Sequence, residues 1–493
     1  MLQEIIKFEN VSYSYPGQGA LDSSKLALEN IDFCVFEGEF LAVMGENGSG
    51  KSTFCKLING IIPHHTGGFL AGTVIVDGER TDASSVPQLA VKAGMVLDDP
   101  DAQIFTSSVR DEAAFGAENL LLPPQEIQER VRQALAAVGL AGFEDRLPST
   151  LSGGEKQRLV IASALSMKSK ILVLDEPLCR LDPQGQAEVL SALMDIRKNF
   201  GITIIMTSGS KIPEYADRVC VLSGGKITAC EKSEKIYNDV DLLIKNGIQP
   251  PVEADLSSVF RLEDKNYFST MKPVIEIKDF SFSYGSNLII KDLNLTVVEN
   301  DFIALTGCNG CGKTTLLKNI TGLLRPSSGD IYINGKNTKE LSISSISKET
   351  GFVMQNPDNQ LFTSSVFNEV AFAFQNLSLS KKDIQKGVKN VLDIVGLEDP
   401  DAFPHALNRA DRTKTVIACV LAQGCKIIIF DEADVGQDYL GSLRIMNIAK
   451  NLHLKGYTII FVTHNMSLVC NYAHRLIMID RNGIIMDKRR NEK

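Results

Sequence analysis

Short, fully apolar runs recur along this chain, separated by glycine-rich or charged stretches and by segments with apolar residues at three- and four-residue steps. The runs Phe40-Leu41-Ala42-Val43-Met44 and Phe302-Ile303-Ala304-Leu305 read as buried strands. Residues 315–320 follow the second run with helical spacing. Residues 202–207 and 458–463 read as further buried strands, after helical stretches that end in charge. Residues 125–138 and 382–395 carry apolar stripes of helical period, assigned to core packing. Strands alternating with helices predict an α/β fold on a largely parallel sheet, with a more helical insert.

The pattern occurs twice. Gly45-Glu46-Asn47-Gly48-Ser49-Gly50-Lys51-Ser52 matches Gly307-Cys308-Asn309-Gly310-Cys311-Gly312-Lys313-Thr314, and the lysines lie 262 residues apart. Leu172-Val173-Leu174-Asp175-Glu176 matches Ile428-Ile429-Phe430-Asp431-Glu432. Val274-Ile275-Glu276-Ile277 echoes Ile5-Ile6-Lys7-Phe8. Duplication over nearly the whole chain predicts a first domain at 1–230, a linker at 231–272 and a second domain at 273–493. The linker is polar, carries Pro250-Pro251 and shows no long helix pattern.

The chain has 493 residues and a net charge of −9, which argues against a general nucleic-acid footprint. Ten cysteines without paired spacings and no secretory leader point to a reducing cytosol. Cys308 and Cys311 form a C-x-x-C, but both fill variable positions of the glycine loop, which makes loop composition the simpler reading than redox or metal chemistry. His64-His65 lie in a Pro/Gly-rich loop without a third ligand nearby and read as surface. No apolar run reaches the ~20 residues of a membrane span, so work at a membrane requires other chains to cross it.

Strand, glycine loop and helix are the context in which G-x-x-x-x-G-K-S/T binds phosphate. The glycines let successive N–H groups point inward as an anion nest, and the helix N-terminus adds its positive end. Lys313 reaches β- and γ-phosphates, and the Thr314 hydroxyl ligates Mg²⁺. An apolar strand ending in Asp-Glu downstream supplies the rest of a nucleotide hydrolase. Asp431 holds Mg²⁺, and Glu432 polarises a water for in-line attack. Leu151-Ser152-Gly153-Gly154-Glu155-Lys156-Gln157-Arg158 is a further phosphate-binding device, two glycines ahead of a helical stretch.

L-S-G-G-x-x-Q between a phosphate loop and an apolar-Asp-Glu strand resembles the ATP-binding cassette (ABC) family, over both copies. The resemblance implies two tandem P-loop nucleotide-binding domains, each a mostly parallel sheet core with a helical subdomain, using ATP and Mg²⁺. It implies nucleotide contacts along Gly45, Glu46, Asn47, Gly48, Ser49, Gly50, Lys51, Ser52 and Thr53. It implies the same along Gly307, Cys308, Asn309, Gly310, Cys311, Gly312, Lys313, Thr314 and Thr315. Tyr15 and Tyr284, shortly after the first strand of each copy, occupy the place of an adenine-stacking aromatic. Family cassettes pair head to tail, so the signature of one copy, here Ser152, Gly153 and Gly154, closes over the nucleotide of the other. A tandem chain can supply both halves.

The copies are unequal. Gln355 stands where the family senses Mg²⁺ and γ-phosphate; the first copy has Asp98, whose charge repels phosphate unless a cation compensates. His464 resembles the switch histidine; the first copy has Ser208. The signature is intact only in the first copy, the second reading Leu407-Asn408-Arg409-Ala410-Asp411. The losses fall on one site, so Lys313, Thr314, Gln355, Asp431, Glu432 and His464 define the hydrolytic one. Lys51, Ser52, Asp175 and Glu176 define one that binds Mg-ATP and turns it over slowly or not at all.

Asn356-Pro357-Asp358-Asn359-Gln360-Leu361-Phe362, echoed by Asp99-Pro100-Asp101-Ala102-Gln103-Ile104-Phe105, resembles the segment after the glutamine in energy-coupling factor (ECF) transporters. That resemblance implies an ATPase subunit at the cytoplasmic face of the cell membrane, powering import of a vitamin, a vitamin precursor or a transition-metal ion. It further implies a membrane coupling (T-type) protein and a membrane substrate-binding (S-type) protein as partners. The rival expectation is a soluble tandem cassette acting on ribosomes or DNA. The 231–272 stretch, with eight acidic and six basic residues, speaks against it.

Overall fold

The computed structural model describes residues 3–17, 26–209, 215–251, 256–262, 271–375 and 380–490. Contacts divide the chain into two compact units, Met1–Pro251 with Asp438–Leu440, and Val252–Gln437 with Gly441–Lys493.

The first unit holds a six-stranded sheet in the order Lys226–Lys232, Arg218–Ser223, Phe40–Met44, Thr203–Ser208, Ile171–Leu174, Ala93–Val96. All pairs are parallel except the first. A four-stranded antiparallel sheet, with Glu4–Ser14 between Leu28–Phe36 and Phe69–Val76, covers one face. The second unit repeats the plan. A seven-stranded sheet has Phe302–Thr306 parallel to Thr458–Val462 and Arg475–Asp480, and a four-stranded antiparallel sheet is built on Pro273–Tyr284.

The apolar runs follow from double-sided burial. Phe40, Ala42 and Met44 point into a core shared with the helical insert, while Leu41 and Val43 point into the core under the antiparallel sheet. Phe302 and Ala304 divide from Ile303 and Leu305 in the same way. The helical expectations correspond to helices Pro124–Ala137 and Lys381–Val395, whose buried residues Val131, Ala134, Leu135 and Val388, Val391, Leu392, Val395 form the stripes.

The 231–272 stretch is short-range structure wherever it is described. Helices Ser233–Tyr237 and Val240–Lys245 place Ile236 and Leu243 in the first unit's core. Strand Phe260–Leu262 pairs antiparallel with Gly483–Arg490, and Phe260 is buried in the second unit. Residues 252–255 and 263–270 lie outside the described residues. His64 is a structural residue, its Nε2 2.8 Å from the Thr81 carbonyl oxygen.

His453 packs its ring 5.2 Å from Phe302 and 4.7 Å from His474, centroid to centroid, and is 6% exposed. Burial holds its pKa below the usual 6.5. The folded state thus binds this proton more weakly than the unfolded one. The second unit keeps its full stability above about pH 6.5 and loses part of it as the pH falls below that value. Calorimetric unfolding between neutral pH and about pH 5.5 should show a midpoint drop a few degrees larger in the parent than in His453→Phe.

Candidate nucleotide sites

Each glycine loop leaves a doubly buried strand and enters a helix capped by a left-handed glycine, Gly50 before Lys51–Ile58 and Gly312 before Lys313–Ile320. Gly45 and Gly307 sit at φ 154° and 152°, with Gly48 and Gly310 at 81° and 72°. A Cβ at Gly45 would collide with the Leu222 carbonyl oxygen, and one at Gly307 with that of Ile479. Only glycine lets the loop lie against the neighbouring strand with its N–H groups turned inward.

The lysines fold back over their loops. Lys51 Nζ donates to the carbonyls of Gly45 and Glu46 at 2.9 and 3.0 Å, and Lys313 Nζ to those of Gly307 and Cys308 at 2.9 Å each. Both are 5% exposed. Ser52 is exposed and Thr53 is buried, as is Thr315. The Tyr15 hydroxyl lies 3.0 Å from Thr53 Oγ1, whereas Tyr284, the last residue of its strand, is half exposed against Phe282.

Glu176 and Glu432 both sit at φ 48°. A left-handed backbone at a residue with a Cβ costs on the order of 1 kcal/mol and persists where surrounding structure imposes it. Here the Glu432 N–H donates to the Val462 carbonyl at 3.2 Å and the Glu176 N–H to Thr207 Oγ1 at 2.8 Å. The backbone is therefore alike in the two copies, and the difference lies in side-chain partners.

In the second copy Gln355 Nε2 donates to Glu432 Oε2 at 2.8 Å, and His464 Nε2 lies 3.4 Å from Glu432 Oε1. That His464 nitrogen is buried and makes no hydrogen bond. Thr314 Oγ1 donates to Asp431 Oδ1 at 3.1 Å. Burial, reinforced by the neighbouring Glu432 charge, pushes the Asp431 carboxyl up to about 6. Gln355, Glu432 and His464 are thus one contact group, and Thr314 with Asp431 another at the same loop.

In the first copy Lys51 Nζ stands 3.4 Å from Glu176 Oε1. Burial nevertheless holds the Glu176 carboxyl above its ordinary range, against the pull of Lys51. Asp175 accepts from Thr207 Oγ1 at 2.7 Å, not from Ser52. Asp98 has a cation nearby that sequence reasoning missed. Arg180 reaches Asp99 at 2.7 Å and Asp98 at 3.8 Å. Its position beyond Asp175-Glu176 gave no local signal, because the pairing is made across the fold.

Two further contacts belong to the second copy. Thr463, which matches Thr207, donates to Asp434 Oδ2 at 2.6 Å in place of the strand-end aspartate. Burial pushes Asp434 up to about 6. Arg409 donates to the Gln355 carbonyl at 3.2 Å and lies against Gly436, where a Cβ would stand 3.0 Å from its Nε.

The signature helix Gly153–Ser166 is capped by Ser152, whose hydroxyl accepts from the Glu155 N–H at 3.3 Å while Glu155 Oε2 accepts from the Ser152 N–H at 2.7 Å. Asn408 and Asp411 rebuild the cap in the second copy, Asn408 Oδ1 accepting from the Asp411 N–H at 2.9 Å. Loss of the glycines therefore leaves the helix start intact. Gly153 is exposed and Gly154 buried.

A family model described as ABC transporter matches residues 28–179 and 290–435. Relatives named among ABC transporter ATP-binding proteins include one from Caldanaerobacter subterraneus subsp. tengcongensis, 36% identical over 93% of this chain and 87% of its own. Another, from Methanosarcina mazei, is 34% identical over 98% of this chain and 88% of its own. Among solved structures, CbiO1 from Clostridium perfringens, described as part of the ABC transporter complex CbiONQ, is 33% identical. It aligns to 49% of this chain and 94% of its own with a TM-score of 0.44. The chain belongs to the ABC transporter family, with two ATP-binding domains in tandem. It is an ATPase coupled to transport.

Arg180→Ala should leave Asp98 and Asp99 uncompensated and weaken ATP binding in the first copy by roughly two- to five-fold, the range of a partly exposed ion pair. Titration with a fluorescent ATP analogue in a Lys313→Ala background reads that copy alone.

Proposed function

We propose that this chain is the ATPase subunit of an ECF-type importer of a vitamin, a vitamin precursor or a transition-metal ion, with one hydrolytic and one nucleotide-holding site. The partners of the two glutamates carry the asymmetric part. Glu432 faces Gln355 and His464, groups able to hold a water and a γ-phosphate, whereas Glu176 is turned to Lys51. The two ATPase domains, expected at 1–230 and 273–493, are each extended by the stretch between them, residues 231–251 falling in the first unit and 256–262 in the second.

The second copy fits Mg-ATP. Its loop is open to main-chain donation, and a buried imidazole nitrogen without a hydrogen bond faces Glu432. Thr314, Asp431 and Gln355 would hold Mg²⁺, which when bound would neutralise charge on the β- and γ-phosphates. Lys313 positions those phosphates. Glu432 accepts a proton from the attacking water, and His464 steadies the γ-phosphate. Ser152, Gly153 and Gly154 are the phosphate-binding signature that the family resemblance implies. In the first copy Lys51, Ser52 and Asp175 would hold Mg-ATP, and Glu176 faces Lys51 in place of groups that hold a water.

Docking to a membrane coupling protein is supported by paired exposed aromatics. Phe105 and Phe362 are 65% and 66% exposed, each set edge-to-face on a second phenylalanine, Phe115 at 4.6 Å and Phe372 at 5.2 Å. Their loops are stiff. Gln103 and Gln360 staple them to the preceding strand, and the buried Glu112 and Glu369 accept the N–H groups of Phe105 and Phe362. A cleft of about 560 Å³ opens beside Phe362 and Phe372. Apolar side chains presented on a fixed loop fit coupling-protein helices. No described helix is long and apolar enough to cross a membrane. In the ECF reading a T-type and an S-type protein supply the span, and the chain sits at the cytoplasmic face.

Glu432→Gln should lower ATP turnover by about 10²–10⁴, the range of a lost general base, while Glu176→Gln changes it little. Equal losses in steady-state ATPase assays would remove the asymmetry. Phe105→Ser with Phe362→Ser should abolish co-purification of the integral membrane partners while sparing ATP binding. Retained partners would place docking elsewhere.

A further inference from the structure

We propose that Cys308 and Cys311 form a reversible disulfide across the phosphate loop of the second copy, a redox modification that stops ATP from binding there and that the first copy cannot undergo. The expected loss of turnover rests on the second copy being the hydrolytic one; the disulfide and its effect on binding do not.

The loop already has the geometry of such a ring. Cys308 to Cys311 is a closed turn, in which the Cys311 N–H donates to the Cys308 carbonyl at 3.4 Å and Gly310 takes φ 72°. The Cα atoms at the ends of a four-residue turn lie within about 7 Å, overlapping the ~4.4–6.8 Å that a disulfide spans. The two thiols stand at the two ends of that one turn. Cys308 is exposed and Cys311 is wholly buried under Gly307, in the core with Leu316 and Ile290. The exposed thiol is the point of entry, and the buried one is held in place to resolve it. The loop leads directly into helix Lys313–Ile320.

With a small-molecule disulfide as oxidant, the chemistry balances. The Cys308 thiolate attacks one sulfur, forms a mixed disulfide and releases one small thiol. The Cys311 sulfur then attacks Cys308 Sγ, the protein S–S bond forms and the second small thiol leaves. The two protein thiols lose two electrons, the small disulfide gains them, and both thiol protons end on the released thiols.

Binding fails because the loop works through its main chain. Phosphate needs successive N–H groups turned inward, and Lys313 Nζ is anchored on the Cys308 carbonyl. Drawing Cys311 Sγ out of the core toward Cys308 moves that carbonyl, the turn and the lysine together. The first copy makes the same turn, with Ser49 N–H to the Glu46 carbonyl at 3.2 Å and Gly48 at φ 81°. It has Glu46 and Ser49 where the sulfurs would be. One oxidant therefore acts on one loop and leaves its twin as an internal control.

The test treats the full-length protein with glutathione disulfide, with and without Mg-ATP, then alkylates it, digests it and maps it by mass spectrometry. ATPase rate and the binding capacity for a fluorescent ATP analogue are read on the same samples. The expected result is a Cys308–Cys311 link that ATP slows several-fold, capacity reduced from both loops to one, and recovery with dithiothreitol. Cys308→Ser and Cys311→Ser should each keep their own untreated capacity in oxidant. No link, a link confined to another pair such as the facing Cys220 and Cys230, or equal loss of capacity in the serine variants overturns the proposal. If the link forms and capacity falls while turnover persists, the disulfide stands and the assignment of hydrolysis to the second copy falls.

Discussion

A loop that grips phosphate with its own N–H groups has no side chains to spare for holding itself in shape. Its rigidity must come from outside. Here it comes from strands Phe40–Met44 and Phe302–Thr306, buried on both faces, whose side chains alternate between two separate cores. The neighbouring strands press close enough that the carbonyls of Leu222 and Ile479 would strike a Cβ on Gly45 or Gly307. The same packing imposes φ 48° on Glu176 and Glu432. Burial thus fixes the backbone of both sites identically and leaves their chemistry to side-chain partners.

Those partners diverge by exchange between positions. Thr207 holds Asp175, whereas Thr463 holds Asp434 and leaves Asp431 to Thr314. A guanidinium lies beside the loop after strand Ala93–Val96 in the first copy and after Thr350–Val353 in the second, but it arrives by different routes. In the first copy Arg180 comes from the turn after Asp175-Glu176, and Gly153 fills the signature position. In the second copy Arg409 comes from the signature position and rests on Gly436. Arginine and glycine have traded places. Asp98 and the altered signature are therefore each accommodated within their own copy, and Asn408 with Asp411 preserves the helix cap.

The segments that resemble ECF transporters have a physical logic of their own. Asn356 and Asp99 each accept the N–H two residues on, at 3.2 and 3.1 Å. Asp358 pairs with Arg412, and Asp101 with Lys156, tying each loop to the signature helix of its own copy. A motif that looks like a binding sequence is mostly a brace. The exposed phenylalanines are what the brace presents.

The α/β class, the duplication, the phosphate loops and the strand-end acids were legible in the chain itself. Each rests on a local rule: apolar run, glycine at a left-handed position, acid at a strand end. The inequality of the copies was legible too, as residue types at matched positions. Tertiary structure alone decided which atoms meet, because Arg180 and Asp98, Thr463 and Asp434, or Gln355 and Glu432 are brought together by sheet order across sequence separations of 29 to 82. It also decided that 231–272 joins the two cores at its ends, since Leu243 and Phe260 are too widely spaced in a polar stretch to announce burial. Sequence names the groups; packing over distance chooses their partners, and the partners set the chemistry.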